Sequence, residues 1–295
     1  MLEHLADLLP GEKQATTMQL AGALAKVPGM IAIVLGGSYA RGSAHAQSDV
    51  DLGLYYRPGQ PFSIDVIRRI AGEVAIEPPT VTDFYECGAW VNGGAWIRTV
   101  SSKVDFLYRK LDQVESMIAE AEQGIVHHDY PQQPPYGFYS ITYLAETQVC
   151  IPLFDPHGII ADLKGRVHTY PDSLRTRVVG DGLWSAEFTL LHARTFAAKG
   201  DVYNTVGCLT RVATNLTQVL FALNRRYYMS DKGVMELIDT LPLTPPAYAQ
   251  RLTEILAMPG FGVPDLTSTV RTLEGIWQDV VDLTAGAYEP RFVVP

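Results

Sequence analysis

The chain has 295 residues, 47% hydrophobic and 19% charged, a balance that excludes a disordered or fibrous protein and leaves room for one large or two ordinary domains. Its formal net charge of −9 argues against a nucleic-acid partner, which needs a positive face, and mildly favours a cationic one. The cysteines, Cys87, Cys150 and Cys208, are odd in number and far apart, so reduced thiols in the cytosol are expected, with no disulfide framework and no zinc site.

The N-terminal segment carries Glu3 and Asp7 and lacks a basic stretch followed by an apolar one, so no leader is expected. No apolar run approaches the roughly 18 residues of a membrane span, and the expected setting is the cytoplasm without a membrane. The first strong element is "MIAIVL", 30–35, a buried strand closed by Gly36-Gly37. The glycines, Ser38 and then Arg41-Gly42 offer backbone N–H groups and a hydroxyl at the expected start of a short helix, a place suited to a phosphate. A Walker loop is excluded because Ser43 stands where that motif needs lysine.

"SDVDLGLYY", 48–56, alternates: Val50, Leu52 and Leu54 on one face, Asp49, Asp51 and Gly53 on the other. This period predicts a strand with one buried face and both carboxylates pointing the same way, about 7 Å apart. Two such charges are tolerated where a cation sits between them or one stays protonated; a solvated strand face is the plainer alternative. Hard oxygen ligands at this spacing suit Mg²⁺. Next, "WVNGGAWIRTVSSKVDFLYR", 90–109, has turn signals at Asn92-Gly93-Gly94 and Ser101-Ser102 and reads as a β-meander. In its last strand Asp105 lies between Val104 and Phe106, where a lone carboxylate is costly to bury without a partner.

Together, Gly37-Ser38, Arg41-Gly42, Ser48-Asp49-Val50-Asp51 and Val104-Asp105-Phe106 resemble the DNA polymerase beta-like nucleotidyltransferase superfamily, and within it the aminoglycoside and lincosamide branch. The resemblance covers roughly residues 30–110. It implies a mixed α/β sheet with flanking helices over 1–157, and two Mg²⁺ ions on Asp49, Asp51 and Asp105. It also implies a nucleoside triphosphate with its phosphates on the loop of Gly36, Gly37, Ser38 and Arg41.

His127-His128-Asp129 precedes the proline-rich "YPQQPPYG" and has no second ligand pair at metal spacing, so it reads as loop polarity. Residues 138–156 predict a helix and then a short strand. Beyond, 158–295 turn helical. Val202, Val206, Leu209, Ala213, Leu216, Leu220 and Leu223 step by four and three along one face, with Asp201 as N-cap. Trp184, Phe188 and Leu191 mark a second apolar face, and Leu266, Val270, Leu273, Trp277 and Val280 a third, which together predict an all-α bundle. Pro242, Pro245 and Pro246 mark a loop inside it, and Lys232 stands near the start of a short helix, where relatives supply a basic residue toward the triphosphate. Arg225-Arg226 reads as a solvated helix end, His192 as structural, and the aromatic residues of 84–108 as sheet core rather than a stacking platform.

The resulting expectation is an Mg²⁺-dependent transferase. It moves a nucleoside monophosphate, AMP from ATP, onto a hydroxyl of a small molecule, with an aminoglycoside-like acceptor possible. A nucleotidyl-transferring antitoxin or regulator acting on protein or RNA, and a non-catalytic nucleotide-binding module, are the alternatives.

Overall fold

The structure, a computed structural model, describes residues 8–292. Glu3 and Asp7, on which the leader expectation rests, lie outside them. The chain divides into two compact units: one runs to Glu120 and resumes over His127–Thr169, the other takes Ala121–Val126 and what is described from Tyr170 on.

The first unit contains α1 (Gly11–Leu24), β1 (Ala32–Leu35), α2 (Gly37–Arg41), β2 (Val50–Tyr56), α3 (Ile64–Val74), β3 (Thr80–Val81), β4 (Gly94–Arg98) and β5 (Lys103–Lys110). There follow α4 (Leu111–Glu122), which passes into the second unit at its end, the ribbon β6 (His128–Asp129) and β7 (Phe138–Tyr139), α5 (Ile141–Val149), β8 (Ile151–Phe154) and α6 (Ile159–Val167). The main sheet has the order β3-β4-β5-β2-β1-β8. It is mixed: β2 and β5 run parallel, and the other neighbours antiparallel.

Burial of both sheet faces sets the core. β1 is buried along its whole length. On β2, Val50, Leu52 and Leu54 pack with Ile33, Leu35, Val104 and Phe106. Against expectation, the other face of β2 is also covered, since Tyr55 is only 3% exposed. Only the N-terminal end of that face, at Asp51, is half-open. A central strand has neighbours on both sides, so alternation alone cannot say how far along it the second face stays wet. The β4–β5 hairpin closes where the Thr99 N–H donates to Ser102 O (2.8 Å) and the Ser102 N–H to Thr99 Oγ1 (3.1 Å). At the far end of β5, buried Arg109 donates through Nε (3.1 Å) and Nη2 (2.8 Å) to Glu146 of α5. Edge strand β8 contains Pro152, whose missing N–H an edge tolerates.

The division falls after Thr169 rather than at residue 157, where the composition changes. Lys164 explains the difference: its Nζ donates to Gln148 O (2.6 Å) and Cys150 O (2.7 Å), which fastens α6 to the sheet unit. Burial pushes the neighbouring Cys150 thiol up to about 11, so it stays protonated and inert at neutral pH.

The second unit contains α7 (Asp172–Ala197), α8 (Val202–Leu223), α9 (Val234–Ile238), α10 (Tyr248–Ala257) and α11 (Val263–Asp282). Asp201 caps α8, accepting from the Asn204 N–H at 3.1 Å. Its C-terminal residues Val219 to Leu223 are buried all round. This helix is long and apolar enough to cross a membrane, a property the count of uninterrupted apolar residues misses because threonines and asparagines punctuate it; most of it is buried within the unit. The face predicted for α7 is corrected. Trp184 (39%) and Phe188 (40%) are exposed and stack on each other, while Leu183, Ala186, Leu190 and Ala193 are buried. Small residues win here because α7 and α8 approach closely: a Cβ on Gly182 would lie 2.6 Å from Val219 Cγ2.

Candidate active site

β1 ends at the N-terminus of α2, and β2 returns antiparallel beside it. This brings the glycine loop onto the first residues of β2. The Gly36 N–H donates to Asp51 O at 2.8 Å, continuing the β1–β2 ladder for one more bond. Gly37 then turns with φ +59°, and a Cβ built there would lie 1.7 Å from Asp51 Oδ2. The glycine therefore serves two ends. It adopts a left-handed conformation that other residues enter at a cost, and it lets the backbone lie against the Asp51 carboxylate. No side chain caps α2, so the first-turn N–H groups at Gly37 and Ser38 receive nothing from a cap, and an anion at this end would accept from them. Ser38 is half-buried in that turn, Arg41 is exposed in the last one, and Gly42 ends the helix at φ +70°.

The parallel register sets Asp51 directly opposite Asp105. Residues so paired project to the same face, with strands about 4.8 Å apart. The row continues outward: Asp105 pairs with Trp96 on β4, and Trp96 with Thr80 on β3. One face thus presents, in order, the glycine loop, Asp51, Asp105 and an indole that is 38% exposed. Trp96 corrects the expectation that the aromatic residues of 84–108 are sheet core. Tyr108 does fit it, being fully buried. The sequence missed Trp96 because its turn signal, Ser101-Ser102, lies one residue beyond the observed tip at Val100-Ser101, which sets Trp96 opposite Asp105.

Asp49 lies one residue before β2, which begins at Val50, and is half-buried at the end of the connecting loop. Among the described residues no group of three His, Cys, Asp or Glu side chains is gathered as a complete metal cage. His127, His128 and Asp129 go to three separate partners, Glu120, Tyr136 O and Trp90 Nε1. Lys232 is an exposed turn residue of the second unit, ahead of α9.

Residues 18–92 match the nucleotidyltransferase domain family, a stretch that holds the glycine loop, Asp49 and Asp51 and ends before Asp105. The sheet unit thus has the mixed α/β fold of a nucleotidyltransferase-like domain, and a helical region follows it. Residues 140–232 match a domain of unknown function, DUF4037. Among solved structures, the chain is similar to a nucleotidyltransferase-like protein from Exiguobacterium sibiricum 255-15, with 14% identity, 94% of this chain and 78% of that chain covered, and a TM-score of 0.47. No curated protein matches significantly.

Proposed function

We propose that the chain transfers a nucleoside monophosphate, AMP from ATP, to a hydroxyl of a small molecule and releases pyrophosphate. The observation that supports this best is the pairing of Asp51 with Asp105 in one register beside the side-chain-free edge of Gly37. The donors fit a hard divalent cation: two carboxylates stand side by side in one register, and the Asp51 carboxylate packs against Gly37, where any Cβ would displace it. Asp51 and Asp105 would hold Mg²⁺, with Asp49 as a third ligand. Such an ion supplies neutralisation of the triphosphate and a lowered pKa for the acceptor hydroxyl.

The protein's own part is positioning and proton transfer. The first-turn N–H groups of α2 and the Ser38 hydroxyl bind phosphate oxygens, and Arg41 adds a charge at the same helix. The acceptor oxygen attacks the α-phosphorus in line with the departing pyrophosphate. An Asp105 carboxylate oxygen takes the hydroxyl proton as the new bond forms. Because the phosphate loop lies at one end of the row, the acceptor approaches from the other, over Trp96. The negative net charge favours a cationic, polyhydroxylated acceptor, so an aminoglycoside is the class to test first. The thiols Cys87, Cys150 and Cys208 are unpaired, which suits a reducing cytoplasm.

Pyrophosphate release over a panel of nucleotides crossed with hydroxylated small molecules tests the proposal. Release with one nucleotide and one acceptor supports it; none across the panel with folded protein contradicts it. Two variants refine the geometry. Ser38→Ala should weaken nucleotide binding by about 1 kcal/mol, the scale of one lost hydrogen bond, as read by calorimetry. Trp96→Ala should raise KM for the acceptor by about fivefold, with KM for the nucleotide unchanged, since an aromatic contact is worth about 1 kcal/mol. An unchanged acceptor KM would remove Trp96 from the site.

A further inference from the structure

α1 buries the stripe Lys13, Thr17, Leu20, Ala21 and Leu24, which places a lysine where an apolar residue is the usual choice. Lys13 is only 7% exposed. Its Nζ donates to Tyr39 Oη at 2.9 Å, Ala46 O at 2.9 Å and Ser48 O at 2.8 Å. An ammonium has three N–H donors, so all are committed, and all go to neutral oxygens. Tyr39 is itself buried on α2, with its ring 5.4 Å from Nζ. One side chain therefore ties together α1, the helix that begins at the glycine loop, and the loop that leads to Asp49.

That loop has two further anchors, the Ser43 N–H donating to Ser38 O at 3.0 Å and Ala44 packed against the core. Ser43 and His45 to Gln47 are exposed. Its internal bonds form a single local turn, in which the His45 N–H donates to Ser48 Oγ (2.9 Å) and the Ser48 N–H to His45 O (2.9 Å). Ser48 O, which Lys13 binds, belongs to the peptide that joins Ser48 to Asp49. Since β2 starts only at Val50, the sheet ladder does not orient Asp49, and Lys13 is bonded to the peptide immediately before it.

We infer that Lys13 is a positioning residue of the site, fixing the 43–49 loop so that Asp49 is presented beside Asp51 and Asp105. The inference rests on the reading of these carboxylates as ligands of a divalent cation. Met is close to Lys in length and removes every donor at once. Lys13→Met should therefore weaken Mn²⁺ binding about tenfold or more, the usual scale for loss of a group that orients metal ligands. Tyr39→Phe keeps both carbonyl bonds and should weaken it about threefold, as for one lost hydrogen bond.

The measurement is calorimetric titration of Mn²⁺ into the full chain with a non-hydrolysable ATP analogue, alongside thermal unfolding of each variant. Asp51→Asn is the control. If it binds Mn²⁺ like the wild type, the carboxylate reading itself fails. If Asp51→Asn loses the ion while folded Lys13→Met keeps wild-type affinity, only the role of Lys13 is overturned, whatever happens to its melting temperature. Should Lys13→Met not fold, Tyr39→Phe decides: a threefold loss supports the role and an unchanged affinity overturns it.

Discussion

Asp51→Asn should abolish turnover and leave the folded chain as stable as the wild type, or slightly more so. Asp51 stands opposite Asp105 across a parallel ladder, and its Oδ2 packs against Gly37, where a Cβ would lie 1.7 Å from it. Asn keeps the shape but gives up the charge, so the hard cation that neutralises the triphosphate loses a ligand. Like charges directly opposite on neighbouring strands destabilise a sheet by a few tenths of a kcal/mol to about 1 kcal/mol, so their removal repays any lost contact. Pyrophosphate release and thermal unfolding, read on one preparation, separate the two effects. A variant that unfolds early would trace the lost activity to structure, and one that turns over normally would remove Asp51 from the chemistry.

Gly37→Val should damage both binding and fold. At φ +59° a β-branched residue is strained by about 2 kcal/mol or more, and its Cβ would fall 1.7 Å from Asp51 Oδ2. The carboxylate must swing away, so nucleotide affinity and turnover are lost together with stability. Gly37→Asn divides these causes. Asn enters the left-handed region more readily, yet its Cβ meets the same oxygen. It should recover part of the melting temperature while turnover stays lost. Normal ATP affinity by calorimetry in Gly37→Val would contradict the geometry of the loop.

Local chemistry made much of the sheet unit legible. β1 showed as an apolar run closed by glycines, and β5 as a β-rich run after a Ser-Ser turn. Each signal is confined to a few neighbouring residues, which is all that period and turn chemistry need. Asp105 was suspect because a carboxylate between Val104 and Phe106 needs a reason. Its register with Asp51 was not legible, since a parallel pair is joined through α3, β3 and β4, and no local pattern encodes that offset. The start of β2 was read early, since alternation continues one residue beyond the strand, to Asp49. On α7, large aromatic residues outweighed alanine and glycine in the sequence pattern, whereas close packing at Gly182 favoured the small ones. Lys13 was not legible in the sequence, since its acceptors lie 26 to 35 residues away along the chain.

In the proposed reaction, Asp51 and Asp105 act together on a nucleotide whose α-phosphate is transferred. The most direct test follows ATP labelled at the α-phosphate, with the acceptor found by the pyrophosphate panel, in a single turnover by the wild type and by Asp105→Asn. Label should move to the acceptor in the wild type. In Asp105→Asn the nucleotide still binds, and transfer slows by about 100-fold or more, the scale of a lost general base. Label that remains in nucleotide and phosphate with the wild type, or transfer at the wild-type rate in Asp105→Asn, would contradict this scheme.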